Sequence, residues 1–255
     1  MQIIFTFTLM FNAIKNLGKY FIMMGKVLNP PEKSSMFFNQ LKLEIAKVGL
    51  NSIGIVIIIS FFIGAVVAIQ QYINLSNPIF PNYTIGLVTR DAVILEFAPT
   101  MLGLILAGKI GSSIASEIGT MRVSEQIDAL EIMGINSASF LILPKIIAAM
   151  IFFPLLIILS ISIGIIGGWL GGLSVGVTTS NYVLGIQYEF IPFYVTYALI
   201  KTTVFAFLIT SISAYFGYHT KGGAISVGKS STKAVVYSSI FILIFNYILT
   251  DLILS

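Results

Sequence analysis

Cysteine is absent from the 255 residues, and histidine occurs once, at His219. Without thiols the chain has no disulfide and no thiolate metal site. A lone imidazole with no Asp, Glu or Cys at ligand spacing makes no metal site, and it does not supply a catalytic triad with a credible base. Charge is nearly as scarce: 9% of residues are charged, against about 25% in a soluble domain. In their place 57% are hydrophobic, which is more apolar surface than one core of this length can hide. A bilayer is the solvent that removes the cost of exposing it, so the chain reads as an integral membrane protein. The net charge of +4 does not point to nucleic acid, because the lysines gather in the N-terminal segment and the short loops, as membrane topology demands. A cleavable-leader pattern is also lacking. The apolar run IIFTFTLMF comes first, Lys15 and Lys19 follow it, and no A-x-A site appears, so this segment is read as retained.

What the chain does have is long apolar runs. Five of them, about residues 50–72, 92–111, 144–172, 192–216 and 234–254, can each cross about 30 Å of hydrocarbon as a helix rising about 1.5 Å per residue. Residues 1–48 differ. Lys15, Lys19 and Lys26 lie on or near one side of a helix, Ile14, Leu17, Phe21 and Met24 lie largely opposite, and Asn29-Pro30-Pro31 stops it. A second apolar stripe follows at Phe37, Leu41, Ile45 and Val48. The expectation is an all-α fold, with 1–48 an amphipathic segment lying in the interface and 49–255 a five-span domain. Six lysines precede the first span. Lys109, Arg122 and Lys145 border or occupy the second-to-third loop, and Lys221, Lys229 and Lys233 the fourth-to-fifth. The other side has Arg90 alone, so the positive-inside rule puts the N-terminus in the cytoplasm and the C-terminus outside. In the third span Gly164, Gly168 and Gly172 recur every four residues. Such spacing lets helix backbones approach closely, either within the chain or across a dimer seam.

The stretch at about 112–143 is polar and helix-forming, with Glu117, Glu125, Asp128 and Glu131 set against Ile118, Met121, Ile127, Leu130 and Met133. From the residues alone it is either a solvated hairpin or a docking helix for another protein. AGKIGSSIAS followed by EIGTMRVSEQIDALEIMGI closely resembles the signature loop of the MlaE-type permeases, the membrane subunits of ABC transporters that move lipids between the two membranes of diderm bacteria and in plastids. The resemblance continues through GIIGGWLGG, LIKTTVFA and GGAISVGKSSTKAVVYSSI and covers about residues 45–255. It implies a homodimeric permease in the inner membrane with phospholipid as cargo. It also implies a separate cytoplasmic ABC ATPase that holds ATP and Mg, a periplasmic MCE-domain protein, and often a small STAS-type subunit. It places Glu117, Gly119, Met121, Arg122, Glu125, Gln126 and Asp128 at the family's coupling region, facing the ATPase. No cofactor and no covalent reaction are expected in this chain itself.

Two charges fall inside spans, Glu96 in the second and Lys201 in the fourth. A charge at mid-bilayer costs about 2.5–3.5 kcal/mol or more, so such residues face a partner or a cavity. Either the two simply pair, or they line a pocket for a polar headgroup, with Lys201 meeting phosphate as a point charge. Both match polar positions of the family, and the substrate pathway is placed at Glu96, Lys201 and Asn246. Asn246 stands where some members carry an acid, and Leu95 where members often carry Arg. Arg90 could replace that cation only by reaching inward. The stretch 223–230, GAISVGKS, fits the pattern G-x-x-x-x-G-K-[ST], but a phosphate-binding loop needs a preceding strand and a doubly wound domain, so the match reads as chance. The alternatives are a self-contained secondary transporter and an intramembrane lipid-binding protein. The first calls for inverted repeats, into which five spans do not divide.

Overall fold

A chain this apolar must satisfy every backbone N–H and C=O within itself where it meets lipid, and helices do so. The computed structural model describes residues 2–29, 34–75 and 80–254, and these form helices joined by short turns, with no strand among them. Five helices are long and apolar enough to cross a membrane; the protein is a multi-pass membrane protein.

Helix α1 (Gln2–Val27) comes first. Met23, Met24 and Val27 are buried, and the Tyr20 hydroxyl donates to Ser211 Oγ at 2.8 Å, while Ile14, Leu17 and Phe21 are exposed. Pro30 and Pro31, expected to stop this helix, lie outside the described residues; the helix itself ends at Val27. Helix α2 (Ser34–Val48) leads through a 3-10 turn at Leu50–Ser52 into α3 (Ile53–Asn74), so residues 37–74 form one apolar helical rod. The apolar stripe read as a separate lead-in is continuous with the first span.

The second span is longer than its apolar run. It extends over Thr84–Val123, 40 residues, as α4 (Thr84–Ala92), a π-helical stretch Val93–Met101, α5 (Leu102–Leu106), a second π-helical stretch Ala107–Gly111, and α6 (Ser112–Val123). The first part of the expected loop at 112–143 is therefore a continuation of the span. The chain breaks at Ser124-Glu125, where Glu125 takes φ of 60°, a left-handed conformation. Helix α7 (Gln126–Ile132) then forms a hairpin with α6.

Helix α8 (Ser137–Ser174) starts well before Pro144 and carries both Pro144 and Pro154 inside. Its start is fixed by Asn136, whose side chain accepts from the Ser139 N–H at 3.3 Å. Helices α9 (Thr179–Gln187), α10 (Phe193–Tyr218) and α11 (Ala224–Leu254) complete the chain. The last helix starts ten residues earlier than its apolar run (224 against 234), because its polar first turns have partners. Ser231 Oγ donates to the Ser112 carbonyl at 3.2 Å, and Ser230 Oγ accepts from Thr220 at 2.9 Å. The stretch 223–230 is accordingly helical from Ala224, not a phosphate-binding loop.

Helix α10 is the central one: 61% of its apolar window is buried, against 11% for α11. The closest pairing joins α3 and α8. A Cβ added at Gly64 would fall inside the Gly164 backbone, one at Gly167 inside Phe61, and one at Gly171 inside Ala65. Gly168 meets the Tyr182 hydroxyl, and Gly172 faces Val177 and Tyr182. The glycine stripe thus packs within one chain. Gly167→Ala is expected to lower stability by about 1–3 kcal/mol, the range for overpacking, read as a drop in the thermal midpoint of the protein in detergent. Gly54→Ala, where nothing lies within 4 Å, should leave the midpoint unchanged. Equal midpoints for the two variants would contradict the α3–α8 contact.

Candidate functional site

The two intramembrane charges meet, and the reason is local. Glu96 lies on the first π-helical stretch, three residues before Pro99. Pro99 has no N–H to give to the ladder of this stretch, and the Leu95 carbonyl lies on the same stretch. The Lys201 ammonium donates to that carbonyl at 3.1 Å and to Glu96 Oε2 at 2.7 Å. It also sits 5.1 Å from the centroid of the Tyr197 ring, a cation–π contact. Asn246 of α11 closes the group: its Nδ2 donates to Glu96 Oε1 at 2.6 Å and its Oδ1 accepts from the Thr100 hydroxyl at 2.9 Å. A carboxylate at position 246 would set a like charge against Glu96, whereas the amide donates to one neighbour and accepts from the other. Spans two, four and five are tied at one point.

The pair is lopsided. The Lys201 side chain is 0% exposed and that of Glu96 46%. The ammonium is engaged on three sides and can meet a headgroup phosphate only by leaving its partners. The groups open to an approaching molecule are the Glu96 carboxylate edge and the Asn246 amide. Arg90 does not replace a missing cation here. It is buried outward of the site, donating to Asp91 at 2.8 Å and to the Ile186 and Tyr188 carbonyls at 2.8 Å, with Phe190 against its guanidinium. It pins α9 and the segment after it. Thr100 and Tyr197, one turn from Glu96 and Lys201 respectively, were not singled out from sequence; only their helical spacing from the two charges marks them.

At the opposite end of the second span the α6–α7 hairpin sorts the residues placed at the coupling region. Glu117 turns inward, accepting from Lys47 at 2.9 Å and from Lys145 at 2.8 Å. Lys145 is buried and also reaches Glu44 at 2.6 Å. This chain of alternating charges joins α2, α6 and α8. Gly119 is buried against Thr220 and Val227, Met121 packs on the core, and Arg122 pairs with Asp128 across the hairpin at 2.6 Å. Only Glu125 and Gln126 of the seven face outward. Two apolar side chains join them at the tip, Ile132 at 88% and Met133 at 65% exposure. Ile132 was missed because it falls off the apolar stripe of the helix, and being off that stripe is what exposes it. Behind the tip, Glu131 is held below the ordinary carboxylate range by hydroxyls of Ser137 and Tyr218 that donate to it, with Arg122 and Lys26 adding to the effect.

Residues 41–252 match the family described as permease MlaE. A "probable ABC transporter permease protein" of Rickettsia prowazekii is 40% identical over 91% of this chain and 88% of its own length. The intermembrane phospholipid transport system permease protein MlaE of Haemophilus influenzae is 29% identical over 94% of this chain and 91% of its own. The chloroplastic protein TRIGALACTOSYLDIACYLGLYCEROL 1 of Arabidopsis thaliana is 31% identical over 90% of this chain and 66% of its own.

The burial asymmetry orders the effects of substitution. Glu96→Gln leaves a fully buried ammonium without its counter-charge and is expected to approach the roughly 3–5 kcal/mol cost of breaking a buried pair. Lys201→Met leaves a half-exposed carboxylate and should cost less. The double variant Glu96→Gln/Lys201→Met should recover most of the loss. Thermal unfolding of the three purified proteins checks this; near-neutral single variants would mean the ammonium is not committed to Glu96.

Proposed function

The chain belongs to the MlaE family of ABC transporter permeases, and from that premise we propose that it carries phospholipid between the inner and outer membranes. It works in the inner membrane as a homodimer, driven by a separate cytoplasmic ABC ATPase that binds ATP and Mg. A periplasmic MCE-domain protein receives or delivers the lipid, and a STAS-domain subunit can attach on the cytoplasmic side. The loop lysines and Arg122 support a cytoplasmic hairpin end.

One observation supports the reading more than any other. The helix that carries Glu96 runs on, without a break in helical structure, to Arg122 in the hairpin, roughly 40 Å at about 1.5 Å per residue. A displacement at the hairpin therefore reaches the polar site through one continuous helix. The docking surface is the outward tip, Glu125, Gln126, Ile132 and Met133, by apolar insertion into a groove of the ATPase. Glu117, Gly119, Met121, Arg122 and Asp128 hold the hairpin in shape and act on the ATPase through it. Glu96, Lys201 and Asn246 form the polar point of the lipid path, with Glu96 and Asn246 as the groups a headgroup meets and Lys201 as their positioning residue.

The test is affinity purification of the tagged chain from native membranes with identification of co-purifying proteins and lipids. An ABC ATPase, an MCE-domain protein and bound phospholipid are expected. Ile132→Asp and Glu125→Lys should each cut ATPase recovery by about tenfold or more without lowering the yield of folded chain, since neither side chain supports the core. Recovery of the chain alone, or an undiminished ATPase in both variants, would overturn the docking assignment and favour a self-contained transporter.

A further inference from the structure

Between the C-terminal end of α1 and the α6–α7 hairpin lies a cleft of about 250 Å³ lined by Lys26, Arg122, Lys221, Tyr218, His219 and Glu131. A second hollow of about 300 Å³ shares Lys26, Glu131 and Tyr218 with it and continues to Asn136 and Ser137. At about 30 Å³ per water molecule, the first alone holds a small polar group with room to spare. Neither the intramembrane site nor the outward tip of the hairpin uses it.

Its charge is unbalanced. Lys26 comes from α1, Arg122 from α6 and Lys221 from the turn after α10, so three segments far apart in sequence deliver cations to one place. Arg122 is paired with Asp128. Lys26 and Lys221 make no ion pair with a carboxylate among the described residues. Glu131 is the one acid in the lining of the first cleft, and its Oε1 is taken by the Ser137 and Tyr218 hydroxyls at 2.9 Å. His219 reports the same field: burial lowers its pKa from the ordinary value, the hydrogen bond to the Tyr215 backbone opposes that, and Lys19, Arg122 and Lys221 add to the lowering. Its Nδ1 donates to the Tyr215 carbonyl at 3.0 Å.

The approach to the cleft also has a pattern. Lys15, Lys19, Ile22 and Lys26 follow one another at spacings of four, three and four residues, which puts them on one face of α1. All four are exposed. A stripe of lysines with an exposed isoleucine among them fits a helix face beside lipid headgroups, with cations raised toward phosphates. The cleft lies at the end of that stripe.

We propose that the cleft between α1 and the α6–α7 hairpin binds a phosphate group, held by Lys26, Lys221 and Arg122, and that an anionic phospholipid of the surrounding leaflet supplies it. A phosphodiester there bridges α1 to the hairpin that carries the coupling residues. The lipid would then act as a fixed part of the permease, separate from the lipid that is transported.

Native mass spectrometry of the full chain in neutral detergent tests this with two probes, phosphatidylglycerol and inorganic phosphate, and with phosphatidylcholine as a zwitterionic reference. The variant is Lys26→Gln/Lys221→Gln, whose side chains are outside the core and make no ion pair among the described residues, with its melting midpoint as the check on folding. Wild type is expected to retain phosphatidylglycerol in preference to phosphatidylcholine, and the variant to bind it about tenfold or more weakly, since each cation near an anionic lipid contributes about 1 kcal/mol. Lipid retained through Glu96 and Asn246 should be unaffected in the variant, which separates this site from the transport path. Saturation by inorganic phosphate that displaces phosphatidylglycerol, and is lost in the variant, would support the phosphate site and assign it to a free anion. Equal binding of phosphatidylglycerol by wild type and variant, or no preference over phosphatidylcholine together with no phosphate binding, would overturn the proposal.

Discussion

An ammonium with no exposed surface in an apolar helix has one stable arrangement, which is to stay beside its carboxylate. Lys201 and Glu96 impose that arrangement on the second, fourth and fifth spans together. Separating them in lipid leaves an uncompensated charge, so the three helices have little freedom to slide past one another at this level. The backbone of the second span is shaped around the same point. Pro99 withholds an N–H within the π-helical stretch, and the Leu95 carbonyl of that stretch accepts from the ammonium. What looks like a helix defect is a seat for the lysine.

Two further ties act at other levels. Between α3 and α8 the glycines bring backbone against backbone over several turns, and in lipid such close packing is a principal source of helix association. At the hairpin end the chain Glu44, Lys145, Glu117 and Lys47 fastens α2, α8 and α6. The glycine seam is apolar and the other two ties are ionic. Together they leave the hairpin tip and the outer face of α11 as the parts of the chain with the least internal packing. The tip is available to a partner because the rest of the hairpin is already engaged with its own chain.

The centres of the five spans were legible because about twenty apolar residues in a row have few other uses. Their ends were not. Residues 224–233 are polar enough to read as loop, and residues 137–143 were set outside the span because Pro144 follows them; both are helical, with their serines hydrogen-bonded to Asn29, Ser112, Thr220 and Tyr218 from elsewhere in the fold. Proline at 144 looked like a helix start, but the cap that sets the start, Asn136, lies eight residues earlier. Glu96, Lys201 and Asn246 stood out as polar residues in apolar surroundings, and they do come together. Sequence could not say which of the two charges would be buried, nor that Arg90 would point away to hold carbonyls of residues 186 and 188. Glu117 was placed on the coupling loop by its neighbours in sequence. Its direction depends on Lys47 and Lys145, which no local pattern connects to it.

The position of the ionic ties decides how a push at the hairpin can be felt. If α6 moved alone, Glu117 would leave Lys145, a side chain only 4% exposed, with Glu44 as its one remaining counter-charge. The lower-energy motion carries α2 and α8 along with α6, and the glycine seam then carries α3 with α8. At the other end of the same rod Glu96 holds α10 and α11. Of the two π-helical stretches, Val93–Met101 carries the Glu96 anchor itself and Ala107–Gly111 lies between the anchors; there the helix has departed from the regular hydrogen-bond ladder and bends at least cost. A rod clamped at both ends and softened between them converts a displacement at the loop into a change of angle at the polar site. It does so without breaking either ion pair, and that requirement limits which motions a permease of this architecture can use.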